Sequence, residues 1–502
     1  MGGMTREAYD RLAAKIRDVS LLSSASALLG WDQETMMPEK GGDWRAEQLA
    51  LLARKVHEDF TSDEVGELLA ACEEDRELVS DPLSVPAVVL RELRRDFDLE
   101  RKLPADLVAE SASHRSRAQQ VWARARKESD FELFRPMLVR SLELAREEAR
   151  CLGIPEGGEE PWDALADRYE PGMRAAELAR LFEPLRSELV ELVDRHRGRR
   201  KDRLTGRRMP VPAQETLCRR VSEAFGFDFD AGRLDRSTHP FTSGSHPLDV
   251  RITTRYREED VMDALGSTTH EVGHGLYEQG LPPEHAGLPF CRASSTGIHE
   301  SQSRLWENQV GRSLPFWRWC APLLTELGGK DFADLSPEEL FESTNRAEPS
   351  LIRVDADETT YHLHIQIRFE LELAMFRGDL DPADLPSAWN ERYAADLGVE
   401  VPDDARGCLQ DIHWSLGAFG YFPTYSLGNL YAACFWKALR GELPDVDEDC
   451  ARGDFGGILE WLRSRIHRHG ARYRPAELCE EVCGTPLDPE VFLDYLRDKH
   501  EA

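Results

Sequence analysis

Asp260 to Gly280 reads DVMDALGSTTHEVGHGLYEQG. It holds no proline, opens on a residue suited to cap a helix and closes on a glycine, so it predicts one uninterrupted helix. At 100° per residue, Val261, Leu265, Val272 and Leu276 fall within about 60° of one another and form a core-facing stripe. His270 and His274 fall on the opposite face, one turn apart. Two imidazoles in that relation are an arrangement for Zn²⁺. Gly266 and Gly273 lie beside that face, where missing side chains allow another segment to approach. Glu271 follows the first histidine directly, the place of a general base in the H-E-x-x-H pattern.

A catalytic zinc takes three protein ligands and keeps one position open. The metzincin extension needs a glycine three residues after the second histidine and a histidine three further on. Here those positions hold Tyr277 and Gly280, which excludes that class. An acidic ligand from a later helix remains. Ile298 to Asn308 (IHESQSRLWEN) offers Glu300, with His299 and Glu307 as competitors, and spacing leaves the choice open.

Outward from this segment, most of the chain carries helical periodicity. Ser62–Cys72, Phe131–Cys151, Arg174–Val193 and Ala356–Phe376 read as amphipathic helices, with breakers at Leu152–Trp162 and Leu380–Pro386. The exception is Leu248–Tyr256 (LDVRITTRY), whose β-branched alternation predicts a strand feeding the histidine helix. Such an edge offers main-chain hydrogen bonds to an extended peptide, or serves as a structural ribbon. Without internal repeats or long linkers, the expectation is a single unit over residues 1–502, all-α apart from a small β ribbon.

Composition narrows the function classes. Against 93 acidic side chains stand 63 basic ones, a formal charge of −30 that repels nucleic acid and anionic membranes. A 41% hydrophobic content supplies a sizeable core. The start, MGGMTREAYDRLAAKI, lacks the apolar run of roughly 7–15 residues of a secretion signal. No apolar run approaches the roughly 18 residues of a membrane span. Ten cysteines without a CxxC pair predict reduced thiols. A soluble cytoplasmic protein is expected. The basic run Arg195–Arg208 reads as a solvated turn between helices.

Two further polar stretches stand out. In Leu351–Glu372, Arg353 either joins a surface ion-pair patch with Asp355, Asp357 and Glu358 or presents a fork to a substrate carboxylate. His362 and His364 point about 200° apart on a helix, so they are expected in core or solvent rather than as a ligand pair. Gly407–Leu427 combines His413, Tyr421 and Tyr425, which beside a metal are donors for an oxyanion. Cys479 and Cys483, one turn apart, match no common metal pattern.

These motifs, taken together, resemble the carboxypeptidase Taq family of thermostable zinc metallocarboxypeptidases across nearly the whole chain. The matches are Trp31–Pro38 (WDQETMMP), His239-Pro240-Phe241, Asp249–Thr253 (DVRIT), His270–His274 (HEVGH), His299–Gln302 (HESQ), Ile352–Asp357 (IRVDAD) and Gly407–Trp414 (GCLQDIHW). The resemblance implies Glu300 as third zinc ligand, with His299 not a ligand, and one zinc per subunit with Co²⁺ as a substitute. It implies a two-lobed helical fold with a deep groove, akin to neurolysin and angiotensin-converting enzyme, in a cytoplasmic homodimer. Such enzymes release single C-terminal residues from peptides with a free carboxylate. By the same resemblance Arg353 is the carboxylate clamp, His239 and Arg251 are candidate substrate-binding residues, and His413 and Tyr425, with Tyr421 in reserve, are transition-state donors. An oligopeptidase or dipeptidyl-carboxypeptidase on the same scaffold is the alternative activity, and a non-catalytic peptide-binding protein the alternative class.

Overall fold

The computed structural model describes residues 2–501 and is built almost wholly of helices, with one three-stranded sheet. The expected helices occur at Asp63–Glu73, Phe131–Leu152, Ala175–His196 and Glu358–Arg377. Two of the starts, at Phe131 and Glu358, follow from side-chain caps. Asp130 accepts from the Leu133 amide, and Asp357 from those of Thr359 and Thr360. That cap moves the start of the last helix from the expected Ala356 to Glu358. Apolar faces of the Phe131–Leu152, Ala175–His196, Val261–Gly280, Glu358–Arg377 and Pro423–Glu442 helices share one continuous core. A smaller core joins Leu12 and Ile16 of the Gly2–Thr35 helix to Leu69, Val88, Phe97 and Phe290. No helix among the described residues is long and apolar enough to cross a membrane.

The sheet comprises β1 (Gly232–Arg236), β2 (Thr242–His246) and β3 (Asp249–Thr254), in the order β1-β3-β2. β3 runs parallel to β1 and antiparallel to β2. It is the strand expected over 248–256, trimmed at both ends, but it lies between β1 and β2 and so has no free edge for a peptide. Leu248 is exposed in the turn after Pro247, and Thr254 ends the strand where its hydroxyl meets that of Ser267, 2.7 Å away. Val250 and Ile252 are fully buried. Gly275 lets the histidine helix lie close to this layer, since a Cβ there would come within 2.7 Å of Phe227 and 3.1 Å of Ile252.

The histidine helix spans Val261–Gly280, with the Asp260 carboxylate accepting from the Asp263 amide at 3.0 Å. Val261, Leu265, Val272 and Leu276 are all buried, each contributing roughly 1.5–3 kcal/mol by leaving water. On the other face the Thr296–Arg304 helix crosses at Gly273. A Cβ there would lie 2.6 Å from the Gln302 oxygen and from Ser303 Cα. Gly266, expected to share this role, has open space around it. The second close approach comes from a third helix, Pro423–Glu442, where a Cβ on Gly428 would sit 2.4 Å from Glu300 Cγ. Two glycines thus let three helices converge on one glutamate.

Substituting Gly266 and Gly273 of the histidine helix separates these roles. Gly273→Ala should cost about 1–3 kcal/mol in urea unfolding, the usual penalty of overpacking. Gly266→Ala should be neutral or stabilising by about 0.5–1 kcal/mol, because alanine suits a helix interior better than glycine. Equal effects at both positions would contradict the crossing.

Candidate active site

The histidine helix presents both imidazoles with their Nδ1 atoms already engaged. His270 Nδ1 is 2.9 Å from Glu307 Oε2, and His274 Nδ1 is 3.1 Å from the His299 carbonyl oxygen. The Nε2 atoms are left facing Glu300 Oε2, at 3.8 Å for His270 and 3.4 Å for His274. One ligand atom from each of the three residues lies within 4.8 Å of the others, the one such group of His, Cys, Asp and Glu among the described residues.

Electrostatics suit metal binding. Burial, reinforced by the neighbouring His299 imidazole, pushes His274 down to about 3, so its ring is neutral. Burial opposes ionisation of Glu300, but the charges of Arg304 and His270 outweigh it and hold the carboxyl well below its ordinary range. Arg304 Nε donates to Glu300 Oε1 at 2.7 Å, and its Nη1 lies 3.3 Å from Glu307 Oε2. Two imidazole nitrogens and one carboxylate, with the rings oriented from behind, fit a tetrahedral zinc that keeps one position open.

The three residues that spacing left open therefore occupy different places. Glu300 joins the two histidines. Glu307, on the π-helical turn Leu305–Val310, supports His270 from behind. His299 contributes its carbonyl to His274, while its ring stacks on that of His274 and its Nε2 bonds Glu278 at 2.8 Å. Glu271 is buried beside the cluster, and burial raises its pKa. Thr242 of β2 donates to Glu271 Oε2 at 2.6 Å and so fixes the carboxylate. Nothing in the sequence marked Thr242, because its role arises only from the register of β2 along the helix.

The model of the carboxypeptidase Taq (M32) metallopeptidase family matches residues 11–500. The chain belongs to that family. Thermostable carboxypeptidase 1 of Thermus thermophilus is 47% identical over 509 residues, covering 99% of each chain. Carboxypeptidase 1 of Bacillus subtilis is 36% identical, covering 97% of this chain and 96% of its own. The solved M32 carboxypeptidase from Deinococcus radiodurans R1 has a TM-score of 0.94 at 38% identity, covering 98% of this chain and 99% of that one. As an M32 member the chain is a metal-dependent carboxypeptidase, a peptide hydrolase.

The IRVDAD and GCLQDIHW stretches meet at Arg353. Its guanidinium is buried and reaches Asp411 Oδ1 with Nε at 2.9 Å and Nη2 at 2.8 Å, while Nη1 donates to the Tyr361 hydroxyl at 2.8 Å. Arg368 Nε donates to the other Asp411 oxygen at 2.6 Å. The surface patch with Asp355, Asp357 and Glu358 does not form. Asp357 caps the helix, Asp355 lies in the field of Arg255, and Glu358 pairs with Lys499. The signal for Asp411 was its place in GCLQDIHW, two residues before His413. The Tyr425 ring lies 4.9 Å from the Arg353 guanidinium, and its hydroxyl is 3.1 Å from His413 Nε2. Tyr421 packs edge-on against Tyr425, and burial with the Glu300 charge pushes its hydroxyl up to about 12.

The other candidates lie elsewhere. Arg251 pairs with Asp249, and its guanidinium lies 4.5 Å from the Trp31 ring, which ties the WDQETMMP and DVRIT motifs together. His239 is exposed in the loop between β1 and β2. Neither side chain hydrogen-bonds the histidine–glutamate cluster or Arg353. His362 and His364 are buried, bonding Ser426 and the Tyr393 hydroxyl, as core residues. All ten cysteines are free thiols. The basic run is less solvated than expected, since Arg200 caps carbonyls of Asn345 and Lys499 and Arg207 pairs with Asp334.

Zinc affinity measured by chelator competition should rank the three residues. Glu300→Ala should lose the most. Glu307→Ala should lose about 10–100-fold, as for a partner that orients a ligand. His299→Ala should lose least, because its carbonyl remains. A larger loss from His299→Ala than from Glu300→Ala would move the third ligand.

Proposed function

We propose that the protein is a zinc carboxypeptidase that removes one residue at a time from peptides bearing a free C-terminal carboxylate, with broad side-chain tolerance. One observation carries this reading. Arg353 Nη1 donates to the Tyr361 hydroxyl at 2.8 Å, the Arg304 guanidinium lies 4.3 Å from the Tyr361 ring, and Arg304 Nε donates to Glu300 Oε1 at 2.7 Å, so a buried guanidinium stands one tyrosine and one arginine away from the Glu300 carboxylate. A carboxylate held by Arg353 therefore presents the terminal peptide bond, rather than an internal one, to the metal cluster.

Arg353 is suited to that task. A guanidinium carries five N–H donors in a fixed plane. Asp411 and Tyr361 engage three of them, which orients the group before substrate arrives and leaves two for a carboxylate. Fixing the ligand in advance lowers the entropic cost of reaching the reactive geometry.

His270, His274 and Glu300 would hold the zinc, which would supply Lewis acidity toward a water and the scissile carbonyl. Glu271 takes the proton of the attacking water and returns it to the leaving amine. Thr242 holds Oε2, which leaves Oε1 for the proton. Tyr425, aligned by His413 and flanked by Tyr421, donates to the developing oxyanion. One such donor contributes about 2.7–4 kcal/mol. The edge of β2, with Arg251 and His239 nearby in the chain, supports the upstream part of the peptide. The resemblance extends the reading to one catalytic unit over residues 1–502, two helical halves flanking a groove, working as a cytoplasmic homodimer in which cobalt can replace zinc.

A mixed-sequence peptide, with free or amidated C-terminus and with or without chelator, tests the reading by mass spectrometry. The free acid should yield a ladder of single C-terminal losses, absent with amide or chelator; internal fragments would favour an oligopeptidase. Zinc-loaded Glu271→Gln should lose about 10²–10⁴-fold in kcat with its metal affinity kept. Arg353→Ala should raise KM for free-acid peptides while leaving metal affinity unchanged, and an unchanged KM would remove the clamp.

A further inference from the structure

Glu372 is fully buried on the Glu358–Arg377 helix, and no lysine or arginine pairs with it among the described residues. Three N–H donors surround its two oxygens instead. Trp162 Nε1 and the Gly420 amide donate to Oε1 at 2.9 and 2.6 Å, and Trp414 Nε1 donates to Oε2 at 2.8 Å. The ionised carboxylate accepts all three on its two oxygens, whereas a protonated carboxyl would bring in an O–H with no acceptor among the groups bonded to it. Burial opposes that form and pushes its pKa up to about 7, with the Gly420, Trp414 and Trp162 donors working against the rise. A lone carboxylate in such a place is costly compared with an apolar side chain, so its use there calls for an explanation.

The donors supply it. Trp414 follows His413, and Gly420 precedes Tyr421. Between Ile412 and Phe422, apart from the His413–Tyr425 bond and the bonds by which Thr424 and Tyr425 start the next helix on the Tyr421 and Phe422 carbonyls, the hydrogen bonds this loop makes to another element among the described residues are the two to Glu372. Trp162 seats the same carboxylate against the Trp162–Ala166 helix, and Gly420 comes so near that helix that a Cβ would lie 2.6 Å from the Ala166 nitrogen. Tyr361 and Arg368, which hold Arg353 and Asp411, lie on the same helix as Glu372. One rigid helix thus sets both the carboxylate clamp and the two ends of the loop.

We infer that Glu372 is a positioning residue for catalysis, pinning the His413–Tyr421 loop at both ends so that its donors meet the oxyanion. The inference rests on the reading of His413, Tyr421 and Tyr425 as transition-state donors. Its effect falls on the chemical step rather than on ground-state binding. Arg353 and the metal cluster have supports of their own, whereas the loop has Glu372.

The test compares Glu372→Gln and Trp414→Phe with His413→Ala and Tyr425→Phe, each zinc-loaded and normalised to bound metal. A glutamine offers one acceptor oxygen and turns its own N–H groups toward an indole or the Gly420 amide. Glu372→Gln should lower kcat about 10- to 100-fold, the scale of a displacement near 1 Å at a reacting centre. KM and zinc affinity should stay within about threefold, the pattern of an interaction felt only in the transition state. Trp414→Phe removes one donor and should lower kcat by about 3- to 10-fold with the same split. If Glu372→Gln does not fold, Trp414→Phe decides by that split. An unchanged kcat, or kcat, KM and zinc affinity worsening together, overturns the positioning role. Should His413→Ala and Tyr425→Phe themselves leave kcat intact, the donor reading falls and the inference with it. If they lower kcat while Glu372→Gln does not, the inference alone falls.

Discussion

The arrangement depends on burying the Glu300 carboxylate where three helices cross. Removing a carboxylate from water is tolerable only with compensating charge or hydrogen bonds. Here Arg304, four residues on in the chain and itself mostly buried, lies against Glu300 Oε1 and also reaches Glu307. Arg312 pairs with the other Glu307 oxygen, and Glu307 orients His270. A chain of alternating charges therefore runs behind the metal cluster. It leaves Oε2 of Glu300 and two imidazole nitrogens pointing into the same space. The close approach at Gly273 and Gly428 is the steric half of the same constraint.

The wall bearing Arg353 uses a second network of the same design. Asp411 lies between Arg353 and Arg368, and Tyr361 closes the guanidinium from the far side. Such a buried triad contributes little to stability compared with a well-packed apolar alternative. Its return is orientation, because a guanidinium held on two sides presents its remaining donors in one direction. The Glu300 network lies on helices, whereas Arg353 on a short 3-10 turn and Asp411 in a loop are tied to the Glu358–Arg377 helix through Tyr361 and Arg368, so each functional group is braced by the core.

Local rules made much of this legible in the sequence. The Asp260 cap, the apolar stripe and the one-turn spacing of His270 and His274 are properties of a single helix, and they survive unchanged in the structure. Gly273 also showed itself, as a gap beside the ligand face, although the same reasoning picked Gly266, which faces open space. The resemblance named Glu300 and Arg353 within their motifs but said nothing of what holds them. Thr242, Tyr361, Arg304 and Glu372 carry no pattern of their own. Each matters through a partner tens or hundreds of residues away, or through one turn of a helix whose facing neighbours the sequence does not reveal.

By itself the sequence determined the helical class, the phase of the histidine helix, the place of Glu271 beside the first histidine and the members of the motif set, because all depend on contacts within a few residues. Tertiary structure alone decided that Glu300 faces the two Nε2 atoms while His299 turns to Glu278, and that Arg353 takes Asp411 rather than its acidic neighbours in sequence. The physical reason is that partner choice for a buried charge is set by which desolvated groups the packing brings within reach. That distance exists only once the helices have crossed.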